Sequence, residues 1–237
     1  MLIDILVKSR KGGCLAKEMP GSLSFFSNNT LSIRRSILDD IGNYDEDCHR
    51  SEDVEICARI ARSDWMMFLA TDMIFQHRPR TNLKALMKQW WGYGEYIPYV
   101  FQKHNAGQWE IFYQRGDAST EPFAPGLRYR KLLYLERMPL TVCVFITPFL
   151  ICHLLLLASI VAFTLGWNLS GTIFSTLSLL AFFAYMQPDF QKKTGIVRGL
   201  QLMYIRYLVN LSFFVAQLIS GLRIGTLYIA PVISERV

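Results

Sequence analysis

The sequence predicts an α/β polar half followed by two to three transmembrane α-helices. Three observations predict it. Charge is confined to the front of the chain: residues 1–137 hold 19 of the 25 Lys and Arg and 17 of the 19 Asp and Glu. From Met138 to Pro188, 51 residues carry no Lys, Arg, Asp or Glu. Short segments of helical or alternating period occupy the charged part. Helices of a soluble domain normally show a polar face, so the uncharged gap excludes a single-domain soluble enzyme. A hydrophobic content of 51% excludes disorder.

Within the polar half, Gly12-Gly13 and Pro20-Gly21 mark loops. Thr30–Ile33 alternates and suits a short strand. Arg35–Ile41 reads as a short helix closed by Gly42, because a residue free to take positive φ ends helices well. Asn43-Tyr44-Asp45-Glu46-Asp47 reads as a polar loop. Ser51 precedes a helix in which Val54, Cys57, Ala58 and Ala61 fall at i, i+3, i+4 and i+7, with Arg59 and Arg62 on the other side. Ser51 is its predicted N-cap, placing Glu52 and Asp53 in the first turn, where the helix dipole favours carboxylates. Two readings of that pair stand: a helix cap, or an Asp53 held ionised where a proton must be accepted.

Trp65–Ala70 and Met73–Gln76 are predicted strands, and His77 follows the second. Thr81 is the predicted cap of a further helix, with Leu83, Leu86, Met87, Trp90 and Ile97 on one face and Lys84 and Lys88 opposite, bending at Pro98. Its aromatics, Trp90, Trp91, Tyr93, Tyr96, Tyr99 and Phe101, suit either a helix at a bilayer surface or a platform for sugar rings.

A span needs about 20 apolar residues. Met138–Phe163 supplies one and Thr172–Met186 a shorter second, separated by a turn at Gly166–Gly171. Arg128, Arg130, Lys131 and Arg137 precede the hairpin, and Lys192, Lys193 and Arg198 follow it. Both ends are then cytoplasmic by the positive-inside tendency. Residues 204–230 form either a third span or an interfacial helix, since Arg206 and Arg223 bound its 16-residue uncharged stretch. His153 reads as a packed or interhelical residue, and Asn168-Leu169-Ser170 as turn chemistry. The five cysteines lack a C-x-x-C pair and read as thiols of a reducing compartment.

Taken in order, several segments are similar to one family. Ser27-Asn28-Asn29-Thr30-Leu31-Ser32-Ile33-Arg34-Arg35-Ser36-Ile37-Leu38, with Asp39–Asp45 behind it, resembles the N-x-x-x-R-R-x-x-L-x-x-I-G-G-F-D stretch of family 2 glycosyltransferases. Ser51-Glu52-Asp53-Val54-Glu55 resembles their Glu-Asp motif, and Ala70–His77 resembles the strand region after it. Lys88-Gln89-Trp90-Trp91-Gly92-Tyr93-Gly94 resembles the Q-x-x-x-Y-G form of membrane-bound members that build polysaccharides such as succinoglycan. The resemblance covers residues 25–105.

It implies a partial GT-A domain and inverting transfer from a nucleotide-sugar to a lipid-linked or glycan acceptor in polysaccharide biosynthesis. Asp53 would be the general base and Glu52 would shape the site. Asn28, Gln89, Trp90 and Tyr93 would contact substrate, and His77 would correspond to a histidine that touches metal or diphosphate in some relatives. Processive relatives have Arg and Trp where this chain has Gly92 and Tyr93, which points to transfer of single sugars. The resemblance also implies a divalent metal, Mg or Mn, on an Asp-x-Asp motif ahead of Asn28. The only Asp-x-Asp, Asp45-Glu46-Asp47, matches a different part of the family pattern.

The expected organisation is therefore the C-terminal half of a GT-A-like domain in residues 1–80, aromatic-rich interfacial helices and a connection in 81–137, and a membrane region in 138–237 with spans at 138–163, 172–186 and 204–230. On this reading the chain is a truncated transferase, inactive alone, whose nucleotide-binding half comes from lost sequence or a separate polypeptide. The alternative is a non-catalytic membrane fragment or partner subunit. The expected location is the inner cell membrane, multi-pass, with the polar part cytoplasmic. The +6 charge, of which +4 lies in residues 138–237, is accounted for by anionic lipid and needs no nucleic acid.

Overall fold

Turn chemistry and helical period decide the first elements, α1 (Arg35–Ile41) and α2 (Glu52–Arg62). The computed structural model describes residue 28 and residues 31–68, 82–114, 129–190 and 195–230. Gly42 ends α1 at φ +89°, and its N–H donates to the Leu38 carbonyl at 2.9 Å. Ser51 does stand at the N-cap of α2, but its side chain makes no cap bond; its backbone is left-handed, at φ 60° and ψ 26°. Residues 31–34 form no strand. Leu31 and Ile33 instead lean on the core, leaving the backbone without a ladder partner. Of the strand expected at 65–70, the described part contributes one isolated bridge residue, Phe68. The strand expected at 73–76 lies outside the described residues.

The aromatic-rich helix, α3 (Leu83–Asn105), runs through Pro98 as one element. Its cap is Asn82, whose Oδ1 accepts from the Lys84 N–H at 2.9 Å and the Ala85 N–H at 3.4 Å. Thr81 is not among the described residues. Beyond α3, where interfacial helices and a connection are expected, the chain forms β1 (Trp109–Gln114) and β2 (Tyr129–Leu135), paired antiparallel. Bulky aromatic and β-branched residues fit this pleated surface. Buried Glu110 is held across the pair by Lys131 at 2.7 Å.

The apolar half also departs from expectation. Met138–Phe163 is not one helix: β3 (Thr141–Ile146) comes first, with alternating burial, and only then α4 (Pro148–Thr164). The cause is its β-branched run, which fits a ladder beside β1 better than a helix. α5 (Asn168–Phe190) begins at once after a turn at 165–167, so Asn168–Gly171 are helical rather than turn. α6 (Ile196–Arg223) starts and ends earlier than the expected third span, and Gly225 turns the chain into β4 (Thr226–Ile229). The sheet order is β2-β1-β3-β4, with β1, β3 and β4 mutually parallel. The helices α4, α5 and α6 thus form one long crossover between two neighbouring strands.

The core lies between this sheet and α1–α3. Phe112 stacks on Phe145 at 4.7 Å, and Phe101 of α3 tilts against Tyr228 of β4 at 5.2 Å. Such aromatic pairs add about 0.5–1.5 kcal/mol each beyond their buried area, so β3 and β4 are fixed parts of the polar domain. The described cysteines Cys48, Cys57, Cys143 and Cys152 are all buried and remain thiols.

α5 and α6 are long and apolar enough to cross a membrane, and α4 is a shorter apolar helix. The hairpin α4–α5 leaves Leu154 (56%), Leu180 (60%) and Phe183 (65%) exposed. It is joined by small polar residues, with Ser159 Oγ 2.6 Å from Ser175 Oγ and Ser178 Oγ donating to the Cys152 carbonyl at 2.8 Å. His153 is interhelical, its Nε2 3.2 Å from the Tyr207 hydroxyl of α6.

α3 and α6 lie along each other. Ser212 Oγ donates to the Met87 carbonyl at 3.2 Å and Ser220 Oγ to the Glu95 carbonyl at 2.5 Å. A Cβ on Gly94 would stand 2.5 Å from the Phe213 carbonyl oxygen. Gly94→Ala is therefore expected to destabilise the protein. The overpacking cost of about 1–3 kcal/mol exceeds the ~1 kcal/mol gained in helix propensity, because the obstacle is backbone. Thermal unfolding in detergent, followed by circular dichroism, measures this; a melting point at or above the parent's would show that the two helices are not in close contact there.

Candidate active site

The first turn of α2 presents two carboxylates, and the left-handed Ser51 sets the angle at which the chain enters it. Ser51 is buried and is not glycine; holding it at positive φ costs on the order of 1 kcal/mol. The backbone N–H of Asn28 donates to Asp53 Oδ2 at 3.2 Å, and its side-chain amide donates to Glu52 Oε1 at 2.6 Å. The Tyr44 hydroxyl donates to Asn28 Oδ1 at 3.0 Å. Asn28, Tyr44, Glu52 and Asp53, from three separate stretches of chain, thus form one hydrogen-bonded group. Sequence reasoning singled out Asn28, Glu52 and Asp53 but left Tyr44 in a polar loop; its place in the family's aromatic-Asp pair was the available signal.

Burial pushes the Asp53 carboxyl above its ordinary range, opposed by the N–H groups of Asn28 and Val54, while the charge of Glu52 adds to the rise. No cation pairs with Asp53 among the described residues. Burial, more than any single neighbour, also raises the Tyr44 phenol.

In the same turn, Glu55 behaves in the opposite way. Its side chain has no exposure, yet its carboxyl is held down at about 2. Burial alone would raise it, and hydrogen bonds from two cations and a histidine together outweigh that. Arg59 binds it through Nε and Nη2 at 2.8–3.1 Å, Lys103 Nζ at 3.1 Å and His104 Nε2 at 3.1 Å. Arg59 also donates to the carbonyls of Ile41, Gly42 and Asn43 at 2.7–3.1 Å, and Lys103 reaches Asp45 at 2.8 Å. The helical period put Arg59 and Arg62 on a solvent side. Instead Arg59 faces the α1 loop, and Arg62 bonds Asn105 Oδ1 at 2.8 Å.

The substrate residues expected on α3 are placed on one stretch of that helix. Gln89 Nε2 donates to the Tyr93 hydroxyl at 3.0 Å. Trp90 meets Tyr93 and Phe213 edge-on at 5.6 and 5.7 Å, so its ring is engaged in α3–α6 packing. No hydrogen bond joins Gln89, Trp90 or Tyr93 to Asp53 among the described residues. The link between the two regions is Arg50, which sequence reasoning passed over: its guanidinium occupies the space that a side chain at Gly92 would fill.

The divalent metal implied by the resemblance finds no fitting ligand set here. Among the described residues no three His, Cys, Asp or Glu come together, and Asp45 is committed to Lys103, whose hydrogen bond lowers its carboxyl pKa. His77 lies outside the described residues.

The sequence profile described as glycosyl transferase family group 2 matches residues 10–187, and the chain belongs to that family. The matched stretch contains the Asn28, Glu52–Asp53 and Gln89–Gly94 segments. Comparison with curated proteins gave no match, and neither did comparison with solved structures.

Glu55 carries a pH signature. A group whose folded pKa is depressed gives stability that is complete above its unfolded value, near 4.5, and is lost as pH falls towards about 2. Glu55→Gln is expected to cost about 3–5 kcal/mol by leaving Arg59 and its neighbours without their counter-charge. It is also expected to flatten the fall in melting temperature between pH 5 and 2; an unchanged acid profile would assign that titration elsewhere.

Proposed function

We propose that this family member is a membrane-bound glycosyltransferase that moves a sugar, with inversion, from a nucleotide-sugar to a lipid-linked or glycan acceptor in polysaccharide assembly, with Asp53 as general base. Family membership supplies the transferase class, which implies a nucleotide-sugar donor and an acceptor. The observation that carries the assignment is the setting of Asp53: desolvated, oriented by Asn28, and unpaired with any cation among the described residues. A base so placed is more basic than a solvated aspartate.

In this mechanism an Asp53 oxygen accepts the proton of the acceptor hydroxyl. The acceptor oxygen forms its bond to the anomeric carbon from the face opposite the leaving group. The bond from that carbon to the donor phosphate breaks, and the nucleoside diphosphate leaves with the electron pair. Glu52 fixes Asn28, and Asn28 fixes Asp53. Gln89 and Tyr93 form a polar pair on α3 for the substrate, and Trp90 positions that helix against α6. The Mg or Mn ion that the family resemblance implies has no step in this reading, because the described residues do not suit it.

The membrane arrangement we infer is a hairpin, α4 and α5, with α6 lying across its base. α4 leaves from β3 and α6 ends at β4, both in the sheet of the polar domain. α6 meets the hairpin where it returns to that side: Tyr207 touches His153 near the start of α4, and Arg206 and Asn210 meet Tyr185 near the end of α5. A third full crossing would put the two ends of α6 on opposite sides, which the shared sheet opposes. α4 has 17 residues and is about 26 Å long at 1.5 Å per residue, near the ~30 Å hydrocarbon thickness. The cationic flanks support a polar domain on the cytoplasmic side of an inner membrane.

Asp53→Asn is expected to lower transfer by about 10²–10⁴-fold with membrane insertion unchanged, measured as sugar incorporated into membrane lipid from a panel of labelled nucleotide-sugars. Turnover equal to the parent would remove Asp53 from the role of base. The pH profile offers a second check. The base works when ionised, so the acid limb of kcat/KM is expected above the ~3.9 of a free aspartate. Glu52→Gln removes a charge that raises Asp53 and should move that limb to lower pH; movement upward would contradict the arrangement.

A further inference from the structure

We propose that Arg50, Lys88 and Lys84 form a phosphate-binding strip that receives the phosphate of a lipid-linked acceptor beside Asp53. This deepens the function proposed above and rests on it for the acceptor class.

The strip follows from helix spacing. Lys84, Lys88 and Gly92 are at i, i+4 and i+8 of α3, one line on its surface covering about 12 Å. Gly92 has no side chain, and the Arg50 guanidinium fills the gap: a Cβ there would stand 2.6 Å from Arg50 Cζ and 2.9 Å from its Cδ. Three cations therefore run in sequence towards Ser51-Glu52-Asp53, which Arg50 directly precedes. None of them joins an ion pair among the described residues, although Arg59 of α2 and Lys103 of α3 both do. Arg50 is half-buried, and a guanidinium with five donors, partly desolvated and unpaired, is suited to a bidentate oxyanion. Glu95, exposed one turn beyond Gly92, is the carboxylate that bounds the strip.

The position of α3 selects the source of that phosphate. α3 is packed along α6 through Gly94, Ser212 and Ser220, and α6 crosses the base of the apolar hairpin. The strip thus sits at the depth of a bilayer surface, where a lipid phosphate lies with its chain in the hydrocarbon. A soluble nucleotide needs no such neighbour.

The test uses the whole chain in phosphatidylcholine nanodiscs, with farnesyl diphosphate, inorganic pyrophosphate and UDP as separate probes. Arg50→Ala and Gly92→Ala, the second displacing the guanidinium, are each expected to weaken farnesyl diphosphate binding by about tenfold or more, and UDP binding by less than about twofold. Lys84→Gln with Lys88→Gln, both exposed, is expected to weaken it severalfold and serves if an Arg50 variant fails to fold. Equal affinity for inorganic pyrophosphate and farnesyl diphosphate would overturn the lipid assignment, as would an effect confined to UDP. No effect from any of these substitutions would overturn the strip itself. Asp53→Asn separates the two proposals: it should abolish transfer and leave farnesyl diphosphate binding intact, so loss of the strip and loss of the base give different results.

Discussion

The structure depends on a carboxylate that water cannot reach. Glu55 has no exposed surface, and a buried charge is tolerable only when fully paired and hydrogen-bonded. Satisfying it takes Arg59 from its own helix and Lys103 and His104 from the end of α3, so α2 and α3 are tied at one point. Arg59 reaches on to the carbonyls that close α1, and Lys103 to Asp45 beside Tyr44. The segments that build the site, namely the Tyr44 loop, the first turn of α2 and the α3 helix, therefore converge on Glu55. Lysine in place of Arg59 would keep the charge but lose the fork that holds carboxylate and carbonyls together.

From that point the constraint passes along α3 to the apolar half. Gly94 lets α6 approach until only backbone and small groups separate the helices. α6 then delivers β4 to the sheet, where Tyr228 meets Phe101 of α3. The polar domain is thus closed by strands from either side of the apolar helices. The hairpin is an excursion from the fold rather than an appendix to it. On the proposed membrane arrangement, a shift of α6 would be felt by α3 and hence by the ground between Gly92 and Asp53.

The parts legible in the sequence were those with local signals. The period of α2, the run of α3 and the glycine closing α1 all stood, because turn and helix chemistry act over a few residues. β3 and β4 did not, because Thr141–Ile146 is a short apolar run beside a longer one, and periodicity cannot separate a buried strand from a helix at that length. The charged residues of Tyr129–Leu135 likewise hid a strand that its partner β1 makes evident. In the site, Asn28, Glu52 and Asp53 were legible through the family pattern. Glu55 was visible only as an i, i+4 pair with Arg59, and its burial is a tertiary fact. Arg50 was missed because its neighbour, Gly92, is distant in sequence and says nothing by itself.

Asp53 and Glu55 also show how one helix sorts two carboxylates. Both sit in the first turn, where the helix dipole favours ionisation, yet their pKa values move in opposite directions. Glu55 meets two cations and a histidine and is lowered; Asp53 is raised by burial and a like-charged neighbour, against amide N–H groups that lower it. The nearest cation in sequence, Arg50, is the one that could undo this difference. Turned towards Asp53, it would lower the carboxyl and weaken it in the proposed role of base. Gly92 gives that guanidinium another place to lie, over α3. A glycine on one helix thus makes room for the arginine that precedes the carboxylates of another, and under the proposed function the same placement leaves the arginine's donors to an anion beside the proposed base.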